Sequence, residues 1–145
     1  MAAEIQQRLK SHKHNLLATL RADGSPRISG IEAWFWRDDL WLGMMPGSVK
    51  GTDLDRDSRF ELHSAPMDLE LHEPDARVRG TAEPVLDNPT IDAFAAFLPH
   101  PSTQPHDLAL YRTNLIGAVL VRVEEDELVL DSWRPGKPVR SQSRR

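Results

Sequence analysis

Strand-like runs joined by tight turns recur along the chain and limit the folds open to it. Apolar or alternating runs occupy residues 15–20, 27–37, 40–44, 59–64, 77–85, 115–123 and 128–130. Asp23-Gly24 is a hairpin signal, and Arg37-Asp38-Asp39 turns the chain back. The first three runs therefore predict an antiparallel meander. Strands that follow one another as hairpins, without long alternating helices, predict a mainly β fold: a barrel of six to seven antiparallel strands with short helices outside it.

Two or three short helices complete the pattern. Ile5, Leu9 and His12 have helical spacing within residues 4–13. Asn88-Pro89 supplies an N-cap and a proline at the first helical position, and Pro99 ends that helix. Residues 65–74 and 100–107 are predicted to be mainly loop. Gly80 within its strand predicts a bulge or a close backbone approach.

Length and composition bound the class of protein. With 145 residues, the chain suits one domain, predicted over residues 1–136, followed by a flexible basic tail at 137–145. A net charge of −4 argues against a strongly basic nucleic-acid surface. The sequence has no cysteine, which excludes disulfides and thiolate nucleophiles. Neither a membrane-length apolar run nor a signal-peptide core occurs, so we expect a soluble cytoplasmic protein without membrane or nucleic-acid partners.

The stretch from Met44 to Gly51 predicts a binding site for an anion. An apolar strand leads into the turn signal Pro46-Gly47, and Ser48 is a suitable N-cap for the helix that follows. Free N–H groups and the positive dipole end of a helix bind phosphates. Lys50 and Gly51 are locally unfavourable in a first helical turn, and a bound phosphate would explain both. The alternative is an irregular helix with a solvated lysine.

Metal chemistry and nucleophilic catalysis find little support. The histidines show no spacing that suits a metal site, so none is expected. His63 is a weak candidate for a proton donor, and a half-buried, hydrogen-bonded strand histidine is the favoured alternative. Ser48 lacks the Gly-x-Ser-x-Gly context of a hydrolase nucleophile. Tryptophans 34, 36 and 41 are assigned to the core or to a dimer contact.

Three motifs in order carry a family resemblance. They are Leu-Ala-Thr-Leu-x-x-Asp-Gly-Ser-Pro-Arg from Leu17, Gly-Ser-x-Lys-x-x-x-Leu-x-x-Asp-x-Arg from Gly47, and Arg-Val-x-Gly-x-Ala from Arg77. Over residues 5–135 the chain resembles the pyridoxamine 5′-phosphate oxidase-like split β-barrel family, and most of all its flavin- and deazaflavin-dependent oxidoreductases. The C-terminal substrate-binding segment of true pyridoxamine 5′-phosphate oxidases is missing, so that substrate is not expected.

The resemblance implies a homodimer with two cofactor sites at the subunit interface, each holding FMN or the deazaflavin F420 by its phosphate. Ser48 and Lys50, with Gly47 and Val49 beside them, would contact the phosphate. The strand residues Ile28, Ser29 and Gly30 would lie along the ring, and Trp133 and Arg134 would reach it from the partner chain.

The choice of cofactor and the activity itself stay open at this point. Carboxylates in the F420 tail would need a basic groove, for which Arg56, Arg59, Arg77 and Arg79 are available. The arginine-rich composition gives F420 a slight preference over FMN. Hydride transfer to a small conjugated substrate is the leading hypothesis. The alternatives are a non-catalytic carrier of a flavin, deazaflavin or haem, and a dimeric interaction module without a cofactor.

Overall fold

Nine strands and three helices make up the described part of the chain. A computed structural model describes residues 1–65, 71–100 and 107–145. The elements are α1 (Ala2–Lys10), β1 (Asn15–Leu20), β2 (Pro26–Ile31), β3 (Ala33–Trp36), β4 (Asp39–Met44), α2 (Val49–Arg56), β5 (Arg59–His63), β6 (Asp75–Pro84), α3 (Asn88–Phe97), β7 (Ala109–Glu124), β8 (Glu127–Trp133) and β9 (Arg140–Arg144). The predicted mainly β class is confirmed.

The strand count exceeds the prediction for two reasons. The run at 27–37 is two strands, since the chain leaves the ladder at Glu32. The basic tail contributes a further strand, β9, which pairs with β8 and exposes all its side chains. An exposed, charged edge strand has no apolar alternation, so the sequence pattern carries no sign of it. Flexibility of the tail stays a prediction.

The strand order shows how the sheet closes. Hydrogen-bonded neighbours follow the order β2-β1-β5-β6-β7-β4-β3, and every pair is antiparallel. Both antiparallel pairings of the predicted meander are present, as the hairpins β1/β2 and β3/β4, but these hairpins lie at opposite ends of this order because the second run divides at Glu32. Only Glu32 separates β2 from β3, so the two ends of the sheet must come together. This curled, open sheet is the architecture of a split barrel.

The long strand β7 divides the sheet. One edge pairs with β6, while the other pairs with β4 near Ala109 and with β8 from Ala118 onward. The ladder between β6 and β7 shifts register between Arg79 and Gly80, which confirms the predicted bulge. An ideal Cβ on Gly80 would lie 2.0 Å from the carbonyl oxygen of Asn114, so the close backbone approach requires glycine.

Two apolar clusters lie on opposite faces of the curled sheet. The interior cluster takes side chains from strands far apart in the order, which is possible only because the sheet wraps round them; its fully buried members are Leu9, Leu17, Leu42, Leu54, Leu62 and Leu120. Two alanines of the interior cluster, Ala76 and Ala82, are fully buried as well. On the outer face, Trp41 and Leu110 pack under Phe94 of α3, with Trp34 and Trp36 at the margin. The core position predicted for Trp41 is thereby confirmed.

Helix ends follow local hydrogen bonding. Ser48 is the N-cap of α2 as predicted. For α3 the N-cap is Asp87 rather than Asn88, because the Asp87 carboxylate accepts a 3.0 Å hydrogen bond from Thr90 N. Residues 66–70 and 101–106 of the predicted loops lie outside the described residues. Among the helices described, none is long and apolar enough to cross a membrane.

We predict that Gly80→Ala lowers the free energy of unfolding by about 1–3 kcal/mol or more, because the added methyl group overlaps the backbone of β7. Urea unfolding followed by tryptophan fluorescence measures the change. Gly30→Ala is the matched control: a Cβ there meets nothing within 4 Å, so we expect a change within about 0.5 kcal/mol. Equal losses of stability in the two variants would show that the close approach of β7 to Gly80 is not the cause.

Candidate functional site

The start of α2 presents donors that the helix itself does not use. The Ser48 hydroxyl accepts a 3.2 Å hydrogen bond from Gly51 N, and Gly47 before it adopts the left-handed conformation (φ +73°) that favours glycine. The amides of Val49 and Lys50 lie in the first turn, where an N–H group has no helical carbonyl four residues earlier to donate to. Neither amide has a hydrogen-bond partner among the described residues. Two N–H groups and a positive dipole end are thus available to an anion.

Lys50 and Gly51 each have a role in the fold as well. Lys50 Nζ donates a 3.2 Å hydrogen bond to the carbonyl oxygen of Gly30, which joins α2 to β2. A Cβ on Gly51 would lie within 3.3 Å of Met44 Sδ and the Tyr111 hydroxyl. Close packing of the helix therefore explains Gly51 without a bound phosphate, in contrast to the sequence interpretation.

A cleft of about 700 Å³ opens beside this helix start. It brings together three of the predicted site residues, Gly30, Ser48 and Lys50. Its apolar wall is formed by Ile31, Trp34, Met44, Met45, Phe94, Leu98 and Leu108. Its titratable side chains besides Lys50 are Lys13, His14, Glu32, His100 and Asp107. Such a volume and apolar wall suit a ligand of cofactor size.

Comparison with known proteins identifies the fold family. The family model for pyridoxamine 5′-phosphate oxidase matches residues 1–112, which is most of the chain. The chain belongs to the pyridoxamine 5′-phosphate oxidase family. No curated protein sequence matches it at a significant level.

Solved structures of similar fold include an FMN-binding protein, an F420 reductase and a haem-binding protein. A pyridoxamine 5′-phosphate oxidase-related, FMN-binding protein from Nostoc punctiforme superposes with a TM-score of 0.72 at 15% identity, covering 99% of this chain and 94% of that one. An F420 reductase gives a TM-score of 0.60 at 17% identity, with 78% and 94% covered. A haem-binding protein from Mycobacterium smegmatis gives 0.68 at 19% identity, with 92% and 57% covered. At these identities the likeness shows the fold alone.

The geometry of the cleft fits a planar ligand that carries a phosphate group. Gly30 lines the cleft, and a Cβ there would project into open space. A ligand can therefore contact the backbone of β2 directly at this residue. Ser48 and Lys50, at the start of α2, line the same cleft, so the Lys50 amide and ammonium are available to an anion bound there, whereas Gly47 and Val49 do not line it. Among the described residues, no three His, Asp or Glu side chains gather as metal ligands.

The other predicted cofactor residues lie outside the cleft. Ile28 lies on the outer face of β2 and is 69% exposed, whereas Ser29 points to the opposite face. The Ser29 hydroxyl is buried without a partner among the described residues. Trp133 is the last residue of β8 and Arg134 follows it. Both line a groove that is separate from the cleft, and Trp133 also lines a second one. Their contribution from a partner chain stays a prediction.

His63 takes the position of a bonded strand histidine. It is half-buried on β5, and its Nδ1 lies 2.6 Å from the carbonyl oxygen of Ser64, so that nitrogen carries the proton. His63 does not line the cleft. The imidazoles that do line it, His14 and His100, come from separate connections, and no motif in the sequence marks them.

The four arginines considered for a basic groove do not form one. Arg56 binds Asp53, and Arg59 binds Asp57 with an Nη2–Oδ2 distance of 2.6 Å. Arg77 and Arg79 lie together on β6, on the face that carries His63 rather than in the cleft.

A buried carboxylate behind the cleft holds α2 against the sheet. Asp53 Oδ2 accepts hydrogen bonds from Thr19 Oγ1 of β1 (2.8 Å) and Arg27 Nε of β2 (2.6 Å), while Arg56 lies 3.3 Å from its other oxygen. Burial by itself raises the pKa of Asp53. The hydrogen bonds from Arg27 and Thr19 and the neighbouring positive charges together lower it by more, so the pKa of Asp53 lies below its ordinary value.

Tyr111 fastens the other side of the helix. Its hydroxyl donates a 2.8 Å hydrogen bond to Asp55 Oδ1 and lies 3.2 Å from the Gly51 carbonyl oxygen. Burial, followed by the bond to Asp55, raises the pKa of this phenol well above its ordinary value. The phenol therefore stays neutral and acts as a donor that fixes the helix.

We predict that Asp53→Asn lowers the free energy of unfolding by about 1–3 kcal/mol at neutral pH, because charge-assisted hydrogen bonds to Arg27 are lost. The folded-state pKa of Asp53 is depressed, so its stabilisation is complete above the unfolded-state pKa of about 3.9 and is lost as pH falls through the folded pKa. The difference between wild type and variant should therefore shrink below about pH 4.

Urea unfolding between pH 3 and pH 8 measures this dependence. The exposed turn residue Asp126 provides the control, since Asp126→Asn removes a carboxylate with no ion pair in the described structure and should change stability by less than about 0.5 kcal/mol. A difference for Asp53→Asn that is constant over the whole pH range would exclude the carboxylate's charge as the cause.

Proposed function

We propose that this family member is a flavin- or deazaflavin-dependent oxidoreductase that reduces a small conjugated organic substrate. The observation that carries the proposal is the cleft in which Gly30, Ser48 and Lys50 meet at the start of α2. When bound, the cofactor ring supplies the hydride chemistry. The protein supplies the binding, the orientation and a water-poor wall.

The phosphate of the cofactor is held by the helix start. The amides of Val49 and Lys50 donate to it, and the Lys50 ammonium adds a charge-assisted contact. Since Lys50 Nζ already bonds the Gly30 carbonyl, its position is set before the ligand arrives. Less side-chain entropy is then lost on binding.

The ring lies against the bare backbone at Gly30 and the apolar wall. Trp34 and Phe94 in that wall exclude water from the ring. Of the imidazoles in the cleft, His14 and His100 are the ones placed to give a proton through a ring N–H to the substrate after hydride transfer. The active form is a homodimer, in which Trp133 and Arg134 of one chain complete the site of the other.

Both FMN and F420 suit this chemistry. FMN finds support in the FMN-binding protein of similar fold, and F420 in the F420 reductase of similar fold. An absorption spectrum of the purified protein, followed by titration with each cofactor, separates them. A protein that stays colourless and does not respond to either cofactor would instead be the interaction module considered from the sequence.

A haem carrier is the second candidate, on a specific observation. The cleft is lined by two histidines and two methionines, His14, His100, Met44 and Met45, and imidazole and thioether groups are haem ligands. A haem-binding protein has the same fold. Haem titration followed at the Soret band tests this candidate. Saturable binding of haem, with no turnover of electron acceptors in the presence of either reduced cofactor, would favour the carrier.

We predict that Lys50→Ala weakens binding of the phosphate-bearing cofactor by about 1–3 kcal/mol, roughly five- to 150-fold in Kd, because a charge-assisted contact is removed. Equilibrium titration followed by absorbance or by quenching of tryptophan fluorescence measures it. Lys137→Ala, in the exposed segment after β8, removes the same charge away from the cleft and should leave Kd unchanged. Equal affinity of wild type and Lys50→Ala would place the phosphate elsewhere.

A further inference from the structure

Three arginines share a groove on the outer face of the sheet, apart from the cleft. Arg77 and Arg79 alternate along β6 and so point to the same face, and Arg134 follows β8 two strands away. All three line a groove of about 240 Å³ with Glu61, Gly117 and Ser132. Of the three, the proposed cofactor site uses Arg134 alone, and neither that site nor the family match accounts for Arg77 and Arg79.

The arginines of the groove form no ion pair within the described residues, although Glu61 lies opposite Arg79 on β5. None of its three guanidinium groups has a carboxylate within 4.0 Å there. Other arginines of the chain are paired: Arg59 with Asp57, Arg112 with Asp39 and Arg122 with Asp131. In a chain of net charge −4, a cluster of unpaired cations is a local departure from the overall balance.

The backbone beneath the groove makes room for one of these side chains. Gly117 of β7 lies directly opposite Arg79 in the ladder and is buried. An ideal Cβ at Gly117 would lie 2.8 Å from Arg79 Nε and 3.3 Å from its Cγ. The Arg79 side chain therefore lies across a glycine, and a larger residue at that position would displace it.

We propose that this groove binds an oligoanion, a molecule with two or more adjacent phosphate or carboxylate groups. Planar guanidinium groups bind such oxygens in pairs of hydrogen bonds, and several of them suit a ligand with more than one anionic group. The carboxylate of Glu61, opposite Arg79 on β5, repels an anion. We therefore expect that a ligand with a single negative charge binds too weakly to be measured.

The sheet relates this groove to the cleft by geometry. Gly30, Leu16, His63 and Arg77 are successive partners across β2, β1, β5 and β6, so they form one row on one face. Three steps of about 4.8 Å separate Gly30 from Arg77 by roughly 14 Å. The anion bound there has two possible sources: the far end of an extended cofactor, or a free polyanion in solution.

Isothermal titration calorimetry of the full chain with pyrophosphate at low ionic strength tests the proposal. We expect saturable binding that is at least about tenfold weaker in Arg77→Gln/Arg79→Gln. Glu61→Gln should bind about twofold tighter or more, since it removes the opposing charge. Gly117→Ala should weaken binding with no change in charge, because the methyl group displaces the Arg79 side chain. Acetate, with one charge, should not bind measurably.

The matched control is Arg59→Gln, which removes an exposed arginine paired with Asp57 and should leave the affinity for pyrophosphate unchanged. Thermal unfolding of every variant checks that the fold is intact. Absence of pyrophosphate binding to the wild type, or equal affinity in the double variant, would overturn the proposal. A loss of affinity in Arg59→Gln as large as in the double variant would overturn it too, since binding would then follow net charge alone.

Competition separates the two sources without depending on the oxidoreductase proposal. If the anion is part of the cofactor, pyrophosphate displaces that cofactor and the double variant weakens both ligands. If it is a free polyanion, the double variant loses pyrophosphate alone and Lys50→Ala binds it normally. Failure of both cofactors to bind would end the proposed function, yet leave the pyrophosphate result as a separate measurement.

Discussion

The buried carboxylate of Asp53 is the interaction on which the site depends. It joins α2 to both strands of the first hairpin through Thr19 and Arg27. That link holds the helix beside β2, where Lys50 reaches the Gly30 carbonyl. A buried charge is tolerated only when it is paired and hydrogen-bonded, so the same contacts that satisfy Asp53 also fix the register of helix on sheet.

Two regions of the sheet, the cleft at β2 and the groove at β6, differ in the charged groups that they present. At the edge formed by β2, Ser48 and Lys50 line a cleft with an apolar wall. Across the sheet, Arg79 lies over Gly117 of β7 with Arg77 beside it on the strand, and neither arginine has an ion pair in the described residues. Glycine matters at both places because it removes the side chain that would otherwise fill the space above the strand.

Several elements could be predicted because their causes are local. Ser48 caps α2, Asp23-Gly24 turns the first hairpin, and Gly80 marks the bulge, since each depends on neighbours in the chain. The motifs around Gly47 and Arg77 resemble a family to which the chain proves to belong. Cleft residues such as His14 and His100 could not be found, because their proximity to Lys50 depends on how distant segments fold together.

The sequence by itself determined the mainly β class, the position of most strands, the capped helix and the family, because alternation, turn residues and caps act over a few residues. Only the tertiary structure decided the strand order, in which β2 and β3 are adjacent in the chain and lie at opposite ends of the sheet. It also decided that Gly51 serves packing and that Arg56 and Arg59 are occupied by carboxylates. The physical reason is that pairing across the sheet and burial of charge are set by contacts between residues far apart in sequence, which no local pattern records.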